Sequence, residues 1–446
     1  MGIQGIKQGM VMQRGTDQTC AVYFTSKEPL QSITCSDGIT PSWERIDDQY
    51  LLTNIPCGGP YTVTINNDVF TNIYVGDVWI LAGQSNMEGV GRLTADLYQN
   101  NNNAIRAHFM TDIWGIAKHP LHELSAAKHK VHTEVLRAVA PHPIIGAGPG
   151  LTFAKRLFEL SGVPQGLISC AHGGTTLEQW SPDKKELGGD ESLYAAMFER
   201  FKENGANVAG MFWYQGCSEA SEEAITLFNK NMIKLISSIR DDFRKEIPIV
   251  QVQISRFAYT EENTEPAQEQ WSRIRENQRL LQRHIHRLDT VHTMHYRLDD
   301  LIHLDGKSQD HLGITAAESM YAMLHEDKKG CLPGIQLGRI ECKQDEYLEY
   351  QSQIIVHFEN VQGELTSSGR IMGFDQAADT SKPIFTSIYD AYAEGSTIVL
   401  RVELPHQELL QHWLWYGYGL NPACNVTDSN GRSIPAFGPV RIGNVD

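Results

Sequence analysis

Serine is a poor nucleophile unless a base takes its proton, and the base needs a partner that fixes its tautomer. The sequence offers candidates for all three roles. Ser85 stands in GQSNMEG (residues 83–89), directly after the apolar run WILA, where a strand-like segment breaks into a glycine and two amides. His303 stands in RLDDLIHLDG (residues 297–306), with Asp300 three residues before it. In a turn, that spacing lets the carboxylate fold back to one imidazole nitrogen and leaves the other for a serine. Acyl transfer also needs hydrogen-bond donors for the oxyanion. The Ser85 backbone N–H, the Gly173–Gly174 pair and the Gln215 side chain are the candidates.

Rival residues are present. The chain has 17 histidines, so one beside an aspartate is not rare by itself. His284 and His286 read as exposed residues on a helix face, and His292 and His295 as neighbours of a strand. His303 is preferred because a carboxylate precedes it at the right spacing. His172, beside Gly173, reads as part of a pocket wall. Cys217 has no neighbour that would lower its pKa and reads as a small filler. Trp180 is the better sugar contact and Trp213 the better core residue. HWLWYGYG near the end reads as a core strand.

These residues lie far apart, so the fold must gather them. The first 75 residues look all-β, with short runs such as CAVYF, YTVTI and NIYVG between turn residues. After Gly76, strands alternate with helices. DVWILAG, GLISCAHGG, VAGMFWYQG and IPIVQVQI read as strands. GPGLTFAKRLFELSG (residues 148–162) reads as a helix that stops at Gly162, and ESLYAAMFERFKENG as another. The clearest helix spans 222–243, where Ile225, Phe228, Met232, Leu235, Ile239 and Phe243 form an apolar stripe. Alternation of this kind argues for a parallel sheet whose working loops gather at the carboxyl ends of the strands. Beyond Gly330 the pattern returns to β. The expected parts are therefore an N-terminal β region (1–75), an α/β domain (76–330) and a C-terminal β domain (331–446).

Composition narrows the function. The 446 residues carry 38 basic and 54 acidic side chains, a net charge of −16, which argues against nucleic acid and anionic membranes as partners. No run of 18 apolar residues is present. The N-terminal MGIQGIKQGMVMQRG lacks a basic stretch followed by an apolar one, so a cytoplasmic location is expected. The eight cysteines include no C-x-x-C pair and read as reduced thiols. No metal or organic cofactor is expected.

In order along the chain, GQSNMEG, GAGPG (146–150), GGTTLEQW (173–180), WYQG (213–216) and DLIH (300–303) resemble the SGNH-hydrolase superfamily. Within it the chain is similar to carbohydrate acetylesterases, which include sialate O-acetylesterases and acetylxylan esterases. RENQ (275–278) also fits, and a weaker likeness extends to GMVMQRG (9–15) and to residues 415–441. The resemblance implies a three-layer α/β/α, flavodoxin-like hydrolase domain with a parallel sheet, flanked by N- and C-terminal β-sandwich-like regions. By position it makes Ser85 the nucleophile, His303 the base and Asp300 its orienting acid. Ser85, Gly174 (with Gly173 the near alternative) and Gln215 become the oxyanion hole. Gln84, Asn86, His172, Gly173 and Trp180 are expected to line the substrate site. The substrate implied is an O-acetylated sugar, sialate or xylo-oligosaccharide. The family usually reads WYQGE where this chain has Cys217, which places the acid role on Asp300. Two other readings stand beside this one: an esterase for non-sugar esters, and a non-catalytic carbohydrate-binding protein.

Overall fold

The computed structural model describes residues 2–97, 100–137, 144–259, 264–380 and 387–443. The chain forms two compact units interleaved in sequence. The first comprises Met1–Gln215, Lys230–Ile249 and Asp305–Tyr321; the second comprises Gly216–Asn229, Val250–Leu304 and Ala322–Asp446.

The first unit is organised by one 16-residue strand, Asp68–Gly83. The sequence suggests two strands, NIYVG and DVWILAG, separated at Gly76. The backbone instead runs straight through, because partners are available along its whole length. Its first half pairs antiparallel with Gly58–Ile65 and parallel with Val11–Gln13. Its second half pairs parallel with Gln165–Ser169 on one side and Gly210–Tyr214 on the other. Ile105–His108 and Trp114–Ile116 extend the sheet beyond Gln165–Ser169, the latter antiparallel, so the sheet is mixed. A separate four-stranded antiparallel sheet is built from Ile3–Gln4, Val22–Ser26, Gln49–Thr53 and Ser42–Ile46.

From Ile73 to Gly83 the long strand is buried on both faces, as its near-continuous apolar sequence requires. The helix Gly150–Ser161 covers part of it. Phe153 meets Trp79 edge-on at 5.5 Å and stacks on Phe212 at 5.0 Å. Gly162 ends this helix in the left-handed conformation (φ +72°), the stop that the sequence marks. The helix Glu222–Phe243 has the expected bounds, and its Phe243 stacks on Phe201 of Leu193–Glu203 with ring centroids 3.8 Å apart.

In the second unit, strands Ile249–Val252 and Leu288–Val291 lie side by side. A four-stranded antiparallel sheet follows in the order Gln336–Gln344, Ser352–Glu359, Thr397–Val402, Ile388–Glu394. Ser352–Glu359 alternates buried and half-buried residues, the period-two pattern of a sheet with one inward face. A three-stranded sheet of Phe374–Ala377, Trp413–Tyr416 and Phe437–Arg441 contributes Leu414, Tyr416 and Phe437 to the same core. The aromatic stretch near the end is therefore core, as its sequence suggests. His284 and His286 are exposed, but in the turn after the helix Glu265–Leu281 rather than on its face. The eight cysteines form no disulfide among the described residues. No described helix is long and apolar enough to cross a membrane.

Candidate active site

The placement of Ser85 begins with Gly83. Its φ is +127°, and a Cβ there would overlap the Tyr214 backbone. Only glycine lets the neighbouring strand approach so closely in this conformation. Gln84 N–H donates to the Tyr214 carbonyl at 2.9 Å, and His172 N–H donates to the Gly83 carbonyl at 3.0 Å. Three strand ends are thus stitched together where the single helical turn Ser85–Glu88 begins. Glu88 N–H closes that turn on the Gln84 carbonyl at 2.9 Å.

Gln84 and Asn86 flank the serine, yet both are buried. Asn86 Oδ1 accepts from Gln309 Nε2 at 3.0 Å, which ties the turn to the helix Gly306–Leu324. The Asn86 amide thus holds the Ser85 turn in place. Sequence reasoning passed over Gln309; its only signal was a position three residues into a helix that opens straight after the HLDG motif.

The loop after Gln165–Ser169 brings the second motif alongside. Gly173 N–H donates to Glu88 Oε2 at 2.6 Å. Gly174 (φ +69°) has no atom within 4 Å of the place a Cβ would occupy, so open space lies beside it. Gln215 Nε2 donates to the Thr175 carbonyl, which uses one of the two N–H groups an amide carries. Trp180 is wholly buried, edge-on against Trp213 at 5.3 Å, with Nε1 bonded to Thr175 Oγ1 at 3.0 Å. Its ring supports the loop from beneath and offers no face for a sugar, a correction to the expectation from its sequence position.

His172 is buried against His132. Their Nδ1 atoms lie 2.9 Å apart and the rings stack at 5.2 Å. One nitrogen must donate and the other accept, so the two Nδ1 atoms cannot both carry a proton. Burial pushes His172 down to about 4. Burial, then the adjacent His172, pushes His132 well below its ordinary value. His132 lies 40 residues from His172 in sequence, and nothing local in the chain announces the pairing. Glu88 was legible in principle, as the acid of GQSNMEG. Burial pushes its carboxyl up to about 7, against the pull of the Gly173 N–H.

In the second unit, Leu298 and Leu304 bridge across a tight loop that contains the predicted acid–base pair. Asp300 Oδ2 lies 2.6 Å from His303 Nδ1. Its Oδ1 accepts from the Ile302 and His303 N–H groups, each at 2.8 Å. Burial alone would raise the Asp300 carboxyl, but these hydrogen bonds outweigh it and hold the group below the usual carboxylate range. An ionised carboxylate only accepts, so Nδ1 carries the proton in this contact. Cys217 is no competitor as nucleophile, since burial pushes its thiol up to about 12. Arg275 is fully buried and donates to the carbonyls of Ile254, Ser255, Gly417, Gly419 and Leu420. It binds protein backbone and offers nothing to a substrate carboxylate. Among the described residues, no cluster of three or more His, Cys, Asp or Glu is arranged to hold a metal ion.

The chain is similar to known proteins. Residues 75–322, more than half of the chain, match the family described as carbohydrate esterase, sialic acid-specific acetylesterase. A probable carbohydrate esterase of Arabidopsis thaliana is 30% identical over 202 residues, which cover 40% of this chain and 68% of that protein. The crystal structure of a carbohydrate acetylesterase from Xanthomonas citri has a similar fold, with a TM-score of 0.67 over 97% of this chain and 98% of that one, at 19% identity.

Proposed function

Because the chain belongs to the sialic acid-specific acetylesterase family of carbohydrate esterases, and is thus a hydrolase of ester bonds, we propose that it removes O-acetyl groups from a carbohydrate through a serine acyl-enzyme. The observation that carries this reading is the 2.6 Å contact between Asp300 Oδ2 and His303 Nδ1. It fixes the imidazole in the tautomer whose Nε2 can take a proton.

On this reading His303 Nε2 accepts the Ser85 hydroxyl proton as Oγ attacks the acetyl carbonyl. The oxyanion is stabilised by the Ser85 and Gly174 N–H groups, with the Gln215 amide as third donor. His303 then hands its proton to the departing sugar hydroxyl. Water, deprotonated by His303, releases acetate and restores Ser85. Asp300 stays ionised throughout and stabilises the imidazolium. The finer fold reading belongs to the same proposal: a three-layer α/β/α domain of SGNH type over residues 76–330, with β-sandwich-like regions on either side.

The substrate is an O-acetylated sialic acid or an acetylated neutral oligosaccharide. The backbone partners of Arg275 remove one cation from those that could single out sialate. Acetate release by the wild type and by Ser85→Ala, on 9-O-acetylated sialic acid, acetylated xylo-oligosaccharides and acetylated hexoses, tests both parts. Release from one class, abolished in the variant, is the expected result. Unchanged release in Ser85→Ala sinks the mechanism, and no release from any of them sinks the carbohydrate reading.

A further inference from the structure

Glu88 lies three residues after Ser85 on the same helical turn, and residues so spaced share a face. Its Oε2 accepts the Gly173 N–H at 2.6 Å. A Cβ on Gly173 would stand 2.8 Å from that oxygen and 3.3 Å from the Ser85 Cβ. Carboxyl, nucleophile and glycine loop are therefore packed together with no space to spare. The other end of the residue is held as well, since the Glu88 carbonyl accepts from His122 Nδ1 at 3.0 Å. His122 is buried, and burial pushes it down to about 3, so it donates as a neutral imidazole.

We propose that Glu88 is a positioning residue, whose carboxyl latches the 172–175 loop to the turn carrying Ser85 and so sets the distance between the two backbone donors of the oxyanion hole. The inference rests on the Ser85 mechanism above and adds to it a third residue in the same motif. It explains the division of labour in the Gly173–Gly174 pair. Gly173 spends its N–H on the latch, and Gly174, beside open space, is left to face the oxyanion. What the latch requires is an acceptor at the right reach, and a carboxylate, a carboxylic acid and an amide all supply one. The charge itself is not needed.

The test is kcat and KM on an aryl acetate for the wild type, Ser85→Ala, Glu88→Gln, Glu88→Asp and Glu88→Ala, with melting temperatures to show that each is folded. Glu88→Gln keeps the acceptor and should hold kcat within about threefold of the wild type. Glu88→Ala loses the acceptor and Glu88→Asp falls short of Gly173. Both should lose roughly 10- to 100-fold in kcat with KM little changed, less than the loss of a whole oxyanion donor. A Glu88→Gln variant as slow as Glu88→Ala, an unimpaired Glu88→Ala, or a loss confined to KM overturns the latch. If Glu88→Ala does not fold, equal kcat for Glu88→Gln and Glu88→Asp overturns it. An active Ser85→Ala is a different failure, that of the nucleophile assignment.

Discussion

The loop that carries His303 and the turn that carries Ser85 solve the same problem, holding a polar side chain still, by opposite means. The His303 loop is local. Asp300 reaches a ring three residues away and caps two N–H groups of the same loop, and its side chain is 53% exposed. The Ser85 turn is held from a distance. Tyr214, Gln309 and Gly173 lie on other elements far from it in sequence, and the groups that grip it are buried or half-buried. A local device survives small changes in the surrounding fold. A distributed one ties the geometry of the Ser85 turn to the stability of the whole unit.

That contrast can be broken or sharpened by experiment. The largest effect should come from the groups proposed to react. Ser85→Ala and His303→Ala should each cost about 10⁴-fold or more in kcat on an acetyl ester, with unfolding midpoints near the wild type. Asp300→Asn should come next, with a loss of about 10²-fold or more, because an amide no longer fixes the tautomer. A loss below tenfold would show that another acid orients His303. Gln309→Ala should act mainly on the fold. Removing this buried partner of Asn86 should lower stability by about 2–3 kcal/mol in urea unfolding, whereas Asp300→Asn should leave stability nearly unchanged. If the two variants show the reverse pattern, the division into local and distributed support is wrong.

The smallest effect is a matter of pH. The Glu88 carboxyl is raised to about 7 from 4.5, so the folded protein binds the extra proton in that window. Its contribution to stability is then present at the acid end and is lost as pH rises through about 7. The neutral His172 works the other way. With its value lowered from 6.5 to about 4, its contribution is present above 6.5 and lost as pH falls toward 4. Comparing wild type with Glu88→Gln isolates the first term. The stability difference between them should fall by about 1–2 kcal/mol from pH 5 to pH 8, allowing for partial solvent contact at Glu88. A constant difference would mean that Glu88 titrates normally.

The contact between Asp300 and His303 was readable in the sequence because all of its geometry lies within a few residues. The sequence also marked the strand end before Ser85, through a glycine placed where a strand meets a turn, and the helix Glu222–Phe243, through its apolar stripe. It could not show what holds Ser85. The pairing of His132 with His172 and of Gln309 with Asn86 depends on how strands and helices come together, and neither His132 nor Gln309 carries a local pattern. Trp180 misled for a related reason. A tryptophan after a glycine loop looks like a sugar platform until packing against Trp213 shows which way it is covered. Gly76 misled by its type, since a glycine usually punctuates strands, but partners on both sides carry the strand Asp68–Gly83 through it.

That strand has a consequence for how the protein tolerates change. Its N-terminal half is registered against Val11–Gln13 and Gly58–Ile65, and its far end delivers Ser85. Each residue advances a strand by about 3.3 Å and turns the next side chain to the opposite face. The early strands therefore act as a ruler. Deleting or inserting a single residue between 77 and 82 would leave their pairing intact and carry the serine one step short or one step too far. Sequence drift along this segment can exchange side chains, but it cannot change their number.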